Sequence, residues 1–442
     1  MQRHKGEEET ALEAFWSRKH EELAYLNKYA GPGPIGIPQR ELAEFNRSVR
    51  EIRKRILHGQ VECTASLSET SPVGPERYLS PAGPVVYGYQ RYDLRRVDVD
   101  WLREVYFAER EAQLANGLFF SCGMSAIAAL FAIFARQKWQ RVQFSPEPYF
   151  ESFLLAKRFF ERISFDQADS QFSPDRDVLF LDTSSLNWPK FPEHVGSTRL
   201  IVVDTSCVEP DSRHTNYWMD EAARLQLPMV LVRSHVKLDS FGLELGRLGS
   251  AIVISPDDQK SEGDALIQEL LQARSGFGTG FSLIALYPWL GDLEFARLAR
   301  LRTTAIREVT QRLRVALLEV REPGDRFEVL PTAHGIFLVI RTHLDIGGDG
   351  HPPRPGDAIK SFVLSRTIAK ACADHCLPVI AAPSFGLDQI TLNDFVNLHD
   401  GQHHLRVSGA DIPHSLLFLV AVQIRRALVN FADAHGGSHT NN

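Results

Sequence analysis

The sequence is poor in cysteine: five residues, Cys63, Cys122, Cys207, Cys372 and Cys376, are spread over 442 positions. That is too few for a disulfide framework, which excludes the small secreted folds that disulfides stabilise. Cys372 and Cys376 lie about one helical turn apart without a second ligand pair nearby, so a structural role is favoured over a zinc site. The cysteine content indicates a reducing compartment and predicts no metal site.

The sequence also lacks a surplus of basic residues. Lys and Arg number 49 against 55 Asp and Glu, which gives a formal net charge of -6. Nucleic-acid-binding proteins usually carry a clustered positive surface, so DNA or RNA is not expected as a main partner. Hydrophobic residues make up 44% and charged residues 24%, as in ordinary globular proteins.

Long apolar runs are missing as well. The longest, Leu416 to Val422, is too short to span a bilayer and is soon followed by Arg425 and Arg426. The first residues, MQRHKGEEET, are charged and lead into no apolar segment, so no secretory signal is predicted. We therefore expect a cytoplasmic protein without a membrane partner.

Three regions differ in their patterning. Residues 1–86 form a predicted N-terminal helical arm, with one amphipathic helix over 7–28, a Gly-Pro stop at 31–34 and a second helix over 40–57. Residues 284–442 predict a smaller C-terminal α+β domain with a long helix at 293–318 and a strand pair at 327–330 and 335–341. The intervening residues, 87–283, predict a large α/β domain.

The large region alternates helical segments with short apolar runs that lack in/out alternation, as in the strands of a doubly wound, mostly parallel sheet. The predicted strands are 118–121, 142–145, 178–182, 200–204, 229–233 and 251–255. Several end in polar residues, among them Asp182, Asp204 and Arg233. Ligands of open α/β sheets bind beyond the carboxyl ends of the strands, so these side chains are expected at one ligand-binding rim.

Lys237 follows a predicted strand within the segment Ser234-His235-Val236-Lys237 and precedes a glycine-rich stretch. An amine that is desolvated at such a rim becomes nucleophilic and is able to hold an aldehyde cofactor. Taken alone, a lysine in this position is more often a solvated loop residue. Asp204 ends the upstream run LIVVD, where its carboxylate either pairs with a pyridine nitrogen or caps a turn.

The segment Phe119 to Ile127 predicts a strand that turns through Gly123 into a helix. Free amides at the start of a helix, approached closely through a glycine, suit a phosphate group, although many such turns bind nothing. Tyr149 follows the next strand, where its ring either lies on a flat cofactor or simply packs.

These segments together resemble the fold-type I pyridoxal-phosphate enzymes with an aspartate aminotransferase-like fold, and in particular the Cys/Met metabolism (cystathionine synthase/lyase) family. The family signature Ser-Gly-Met-Ala-Ala-Ile is similar to Cys122-Gly123-Met124-Ser125-Ala126-Ile127. The resemblance implies phosphate binding by the amides of Gly123 and Met124. It also implies a homodimer, because Tyr89-Gln90-Arg91 resembles the Tyr-x-Arg pair that reaches the neighbouring subunit's phosphate.

The same resemblance assigns roles to further residues. It makes Lys237 the Schiff-base lysine, Asp204 the partner of the pyridine nitrogen and Tyr149 the ring-stacking tyrosine. It places Ser234 at the phosphate and Asn187 near the cofactor hydroxyl, and it makes Arg406, in Leu405-Arg406-Val407-Ser408, the residue that grips the substrate α-carboxylate.

The stretch between Tyr149 and Asp204 is short for that family, and two further departures concern the phosphate site. Val236 replaces a phosphate-binding threonine, and Gly246-Arg247-Leu248-Gly249 is more similar to the Gly-x-Arg-x-Gly segment of class I/II aminotransferases. By that resemblance, Arg247 supplies the phosphate contact that Val236 lacks.

The resemblance implies a pyridoxal 5'-phosphate-dependent lyase or transferase of amino-acid metabolism. An amino acid would form an external aldimine and a Cα carbanion, and β- or γ-elimination or replacement is the expected outcome. A class I/II-type aminotransferase is the first alternative, and a non-catalytic binding protein that keeps the fold is the second. The glycine-rich residues 274–280 predict a mobile lid or a turn between domains, and His403 and His404 predict a solvated loop or an acid/base pair.

Overall fold

The computed structural model describes residues 2–36, 40–69, 76–80, 83–87, 114–145, 148–165, 176–184, 186, 196–210, 212–256, 259–281, 287–342, 357–396 and 403–435. The chain divides into two compact units: residues 23–300 form one, and residues 1–22 together with 301–442 form the other. We call them the central unit and the terminal unit.

The described helices account for most of the predicted helical segments. They are α1 (Gln2–Asn27), α2 (Leu42–Glu69), α3 (Gly123–Arg136), α4 (Phe150–Phe159), α5 (Arg213–Arg224), α6 (Lys260–Gly276), α7 (Leu293–Val320), α8 (Asp357–Ala373) and α9 (Leu417–His435).

The described strands form three sheets. They are β1 (Glu76–Ser80), β2 (Gly83–Tyr87), β3 (Leu114–Phe120), β4 (Arg141–Phe144), β5 (Arg162–Phe165), β6 (Val178–Asp182), β7 (Leu200–Asp204), β8 (Met229–Ser234), β9 (Gly249–Ser255), β10 (Glu328–Pro331), β11 (Phe337–Arg341), β12 (Val379–Ala381), β13 (Ile390–Val396) and β14 (His403–Ser408). Strands β1 and β2 make an antiparallel hairpin.

The central unit is built on a seven-stranded sheet of order β3-β9-β8-β7-β6-β4-β5. Strands β4 to β8 pair in parallel, and β9 runs antiparallel to both β3 and β8. This confirms the predicted α/β architecture with a mostly parallel sheet. Each of the six predicted strands is present, and β5 is an additional edge strand.

Burial explains why the inner strands carry continuous apolar runs. Every residue of β6, β7 and β9 is buried, so both faces of these strands are removed from water. One face packs on α3, α4 and α6 through an aromatic-rich core that includes Phe131, Phe144 and Phe180. Polar side chains in these strands therefore concentrate at the ends.

The terminal unit contains a five-stranded sheet of order β10-β11-β14-β13-β12, antiparallel except for the β12–β13 pair. The predicted strand pair is confirmed as β10 and β11, which are antiparallel neighbours. Leu338, Ile340, Leu405 and Val407 face a core shared with α7, α8 and α9. Residues in alternate positions, such as Phe337, Arg406 and Ser408, lie on the opposite face of the sheet.

Helix α9 provides part of this core. The segment His414–Ala432 is long and apolar enough to cross a membrane by length and composition, and about a third of its most apolar stretch is buried inside the protein. Leu417, Val420, Ile424 and Leu428 recur at helical spacing and are buried in the core cluster of the terminal unit. Its apolar character is therefore explained in part by packing.

A buried ion cluster joins α1 to the rest of the terminal unit. Lys19 is fully buried, and its Nζ lies 3.0 Å from Glu22, 2.7 Å from Asp388 and 2.9 Å from Asp411. Arg302 pairs with Glu22 and Asp388 at 3.1 and 2.8 Å, and Arg18 pairs with Asp411 at 2.6 Å. We call these six residues the α1 ion cluster; it carries three positive and three negative groups.

The division into units differs from the predicted boundaries at residues 86/87 and 283/284. The first 22 residues group with residues 301–442. The physical reason is the α1 ion cluster, whose charges would be left buried and unpaired if α1 separated from Arg302, Asp388 and Asp411.

Candidate active site

Three neighbouring strands of the central sheet end in polar residues at the same edge. Asp182, Asp204 and Ser234 are the last residues of β6, β7 and β8, which pair in parallel. Asp182 and Asp204 are partners in the strand register. The rim expected from the sequence is thus present at the carboxyl ends of these strands.

The Asp204 carboxylate is buried but only lightly bonded. Its Oδ1 accepts a hydrogen bond from the Ser206 amide at 2.9 Å, and Ser206 is its sole hydrogen-bond donor among the described residues. Burial raises the pKa of Asp204 to about 7, with a further contribution from the neighbouring charge of Asp182. Asp204 therefore holds or releases a proton near neutral pH and has capacity for a further partner.

Asp182 is held more completely, and sequence reasoning gave it no role beyond its place at the rim. Its Oδ2 accepts the Tyr149 amide at 2.7 Å and its Oδ1 accepts the Ser184 amide at 2.8 Å. Burial raises the pKa of Asp182 above its ordinary value. The carboxylate fixes the backbone at Tyr149, so it positions that residue rather than offering free oxygens to a ligand.

Lys237 follows the end of β8, within the half-buried segment that connects β8 to β9. A short 3-10 turn, Leu238–Ser240, begins directly after it, and Ser240 Oγ donates to the Val236 carbonyl at 2.8 Å. Strands β7 and β8 are adjacent and parallel, so their carboxyl ends lie at the same edge of the sheet. Asp204 ends β7 and Lys237 follows β8, which places both residues at that edge.

A buried hydrogen-bond network holds the residues on both sides of Lys237. The sequence did not predict the contacts between its side chains. Arg233 donates to both oxygens of Asp239 at 2.7 and 2.6 Å, and it also bonds the Val208 carbonyl. His235 bridges Asp239 and Ser250 at 2.7 and 2.9 Å. Arg233 and His235 hold the pKa of Asp239 well below its ordinary value despite burial, which favours the charged carboxylate.

The start of α3 lies against the end of β8. A β-carbon added to Gly123 would lie 3.2 Å from Ser234 Cβ, and one added to Gly249 would lie 2.2 Å from the Cys122 carbonyl carbon. The amides of Gly123 and Met124 have no hydrogen-bond acceptor among the described residues. Two free helix N-terminal amides beside a serine side chain suit a phosphate oxygen.

Arg247 lies two residues before the close approach at Gly249. Its side chain is exposed, and the described residues offer it no hydrogen bond or ion pair. The segment predicted as a lid or a turn packs nearby: Thr279 accepts the Ser121 amide at 2.9 Å, and buried Arg274 donates to the Phe119 carbonyl at 2.8 Å.

Arg406 lies in β14 of the terminal unit. Its guanidinium is 5.3 Å from the centre of the Phe337 ring and 5.9 Å from that of Phe385, and Nη2 donates to the Pro383 carbonyl at 2.6 Å. The solvated loop considered for His403 and His404 is wrong, because both are buried in β14. His403 bonds Asp394 at 3.1 Å and Thr342 at 3.0 Å, which satisfies its ring nitrogens.

Three predicted site residues, Tyr89, Arg91 and Asn187, lie outside the described residues. Within the described ranges, no group of three His, Cys, Asp or Glu side chains is arranged to hold a metal ion.

No model of a known protein family matches the chain, and no curated protein matches it. Among solved structures, similar chains include an apo methionine gamma lyase from Micromonospora echinospora, with 16% identity, coverage of 71% of this chain and 80% of that chain, and a TM-score of 0.46. An aspartate aminotransferase from Trypanosoma cruzi gives 13% identity, 83% and 96% coverage, and a TM-score of 0.45.

An aromatic-amino-acid aminotransferase from Burkholderia pseudomallei, covalently bound to pyridoxal phosphate, is also similar, with 12% identity, coverage of 84% of this chain and 87% of that chain, and a TM-score of 0.44.

Proposed function

We propose that this protein is an enzyme that uses pyridoxal 5'-phosphate to process an α-amino acid. The observation that carries the proposal is that Asp204 ends β7 and Lys237 follows the end of β8, the neighbouring parallel strand, so both lie at the same edge of the sheet. An amine and a buried acid at one rim match the two ends of a pyridine aldehyde.

The residues of the central unit fit this cofactor. The free amides of Gly123 and Met124 lie beside Ser234 and suit its phosphate. Exposed Arg247, two residues before Gly249, adds a positive group that no described residue neutralises. Asp204 has carboxylate capacity left for a ring nitrogen, whereas both oxygens of Asp182 are engaged by amides.

Each protein group then has a defined task. When bound, pyridoxal phosphate supplies an electron sink for the charge that develops at the substrate Cα. Lys237 anchors the cofactor and, once freed, accepts the Cα proton as a general base. Asp204 holds a proton between its carboxylate and the ring nitrogen, and Tyr149, fixed by Asp182, covers the ring face.

We further propose that the reaction is elimination or replacement at Cβ or Cγ. The Cys122 to Ile127 segment and the Tyr89-Gln90-Arg91 segment favour this outcome through their resemblance to Cys/Met enzymes. Arg406 is proposed to bind the substrate α-carboxylate. Tyr89 and Arg91 are proposed to reach the neighbouring site of a homodimer, Asn187 to contact the cofactor hydroxyl, and the protein to act in the cytoplasm.

Aminotransfer is the second candidate, and one observation favours it. The backbone of Gly249 packs against Cys122 at the start of α3, where the phosphate is proposed to bind. Arg247 is two residues before Gly249 in the segment Gly246-Arg247-Leu248-Gly249. That is the segment that resembles class I/II aminotransferases.

The cofactor is tested first. Purified protein mixed with pyridoxal phosphate is expected to absorb in the visible range, and borohydride reduction should leave a phosphopyridoxyl group on the Lys237 peptide by mass spectrometry. Absence of the adduct at Lys237, with the cofactor in excess, would refute the proposal.

The reaction type is tested next with amino acids that carry a leaving group at Cβ or Cγ. Release of that group with ammonia or a replacement product supports elimination or replacement. Accumulation of pyridoxamine phosphate with a 2-oxo acid instead supports aminotransfer, and cofactor binding without turnover of any amino acid supports the non-catalytic alternative.

A further inference from the structure

Two buried polar groups of the terminal unit flank Arg406 and have no partner among the described residues. One is Nε2 of His334, in the turn between β10 and β11, and the other is Oγ of Ser408, two residues after Arg406 in β14. Their exposed fractions are 2% and 0%. A buried polar group without a partner costs about 1–3 kcal/mol, so two in one place call for an explanation.

The hydrogen bonds of His334 determine which ring nitrogen carries the proton. Its Nδ1 accepts the Ile336 amide at 3.0 Å, so Nδ1 has no proton and Nε2 carries it. Burial, with Arg307 and Arg406 nearby, lowers the pKa of His334 to about 3. His334 is therefore a neutral imidazole that presents one N–H donor.

The positions of these groups converge on one aromatic ring. The His334 ring centre lies 4.3 Å from that of Phe337, and the Arg406 guanidinium lies 5.3 Å from the same ring centre. Ser408 is the register partner of Phe337 across β11 and β14, and it lies on the same sheet face as Arg406.

Arg406 alone does not provide enough hydrogen-bond donors for all acceptor sites of a carboxylate. One of its terminal nitrogens already donates to the Pro383 carbonyl at 2.6 Å. A carboxylate offers about four acceptor sites, and donors other than guanidinium are needed to fill them. The imidazole N–H and the serine hydroxyl are two such donors.

We infer that His334 and Ser408 complete a carboxylate-binding group with Arg406, in which both act as neutral donors to the α-carboxylate of the amino-acid substrate. This inference rests on the proposed function for the identity of the ligand. It makes His334 and Ser408 specificity-determining residues, which distinguish a carboxylate from an amide or from an amine that lacks the group.

The first test does not involve the cofactor. Full-length protein labelled with ¹⁵N-histidine is titrated with propionate, and with propionamide as the uncharged control. We expect the His334 signals, assigned with His334→Gln, to shift with propionate alone, while His403, whose ring nitrogens are already bonded, stays constant. An unchanged His334 signal at high propionate concentration would overturn the inference even if the cofactor binds at Lys237.

The second test uses the cofactor-loaded protein and two ligands that differ by a carboxylate: 2-aminoisobutyrate and isopropylamine. Their dissociation constants come from the change in cofactor absorbance. Ser408→Ala and His334→Asn should each weaken 2-aminoisobutyrate about tenfold and leave isopropylamine unchanged. Equal effects on both ligands would contradict a role in carboxylate binding.

Paired substitutions separate binding from folding. His334→Gln retains a donor near Nε2, whereas His334→Asn retains an acceptor for the Ile336 amide. A role in carboxylate binding therefore predicts tighter 2-aminoisobutyrate binding in the Gln variant.

Ser408→Ala removes an unpartnered hydroxyl and should not lower Tm. Thr391→Val is the control, because that neighbouring hydroxyl donates to the Ser384 carbonyl at 2.6 Å; it should lower Tm without changing the ratio of the two dissociation constants.

Discussion

Asp182 and Asp204 are register partners at the ends of two parallel strands, yet they differ in what surrounds their oxygens. Two backbone amides engage Asp182, whereas Asp204 receives its hydrogen bonds from Ser206 alone among the described residues. Because the two carboxylates share a buried edge, the charge of one raises the pKa of the other.

The raised pKa of Asp204 predicts a pH dependence of stability in the cofactor-free protein. Its folded-state pKa of about 7 exceeds the ordinary value, so its contribution is fully present below about pH 4 and is lost as the pH rises through 7. Asp204→Asn should therefore gain stability relative to the wild type between pH 5 and pH 8, by up to about 3 kcal/mol.

The check is urea unfolding of both proteins across that pH range. Glu262→Gln, an exposed carboxyl in the first turn of α6, is the control and should show no comparable trend. A constant difference between Asp204→Asn and the wild type at every pH would contradict the assignment of the pKa near 7 to Asp204.

Asp182→Asn is expected to loosen Tyr149 and to lower the pKa of Asp204 at the same time. An asparagine retains one carbonyl oxygen, so one of the two amide hydrogen bonds is lost. We expect cofactor affinity to fall about tenfold, measured by absorbance titration. If Asp182 acts only on Asp204, Asp182→Asn will change the pH dependence of cofactor binding without weakening it at low pH.

The pair Arg233 and Asp239 predicts a large loss of stability on truncation. Arg233→Met leaves the Asp239 carboxylate buried with His235 alone, which should cost about 3–5 kcal/mol of unfolding free energy. The double variant Arg233→Met, Asp239→Leu should lose less than the sum of the two single variants, because no charge is then left unpaired. Guanidinium unfolding of the four proteins measures the coupling, and strict additivity would show that the pair does not interact.

Gly249→Ala is expected to disrupt the packing of β9 against the start of α3. Its β-carbon would lie 2.2 Å from backbone atoms of Cys122, which no side-chain rotation relieves. Gly276→Ala is the matched control, since nothing lies within 4 Å of an added β-carbon at the end of α6. Gly249→Ala should lower Tm by several degrees and abolish binding of the phosphate group of pyridoxal phosphate. Gly276→Ala should leave cofactor binding unchanged and leave Tm unchanged or slightly higher. Normal phosphate binding in Gly249→Ala would remove this contact from the site.

The sheet of the central unit was predictable because strands that are buried on both faces consist of continuous apolar runs, which are visible in the sequence. Strand β5, Arg162–Phe165, lies at the edge and alternates polar with apolar residues, so it leaves no such run. The rim acids were predictable for the same reason, since Asp182 and Asp204 each end a buried run.

Other features depend on pairings that sequence order does not reveal. The contact of Arg233 with Asp239 spans six residues, but its burial depends on the fold of the whole sheet. His403 and His404 precede Arg406 in a polar stretch that resembles a loop, yet β11 and β13 enclose them on both sides. The grouping of residues 1–22 with residues 301–442 follows from long-range ion pairs, and amphipathicity alone does not specify the partner of a helix.

The α1 ion cluster has a consequence for the order of events during synthesis. Lys19 and Glu22 leave the ribosome long before Arg302, Asp388 and Asp411, whose charges they need. While the central unit is being translated and folds, the first helix has none of those partners, and its buried face remains open to chaperones or to premature aggregation. The α1 ion cluster is thus completed only after Asp411 has emerged.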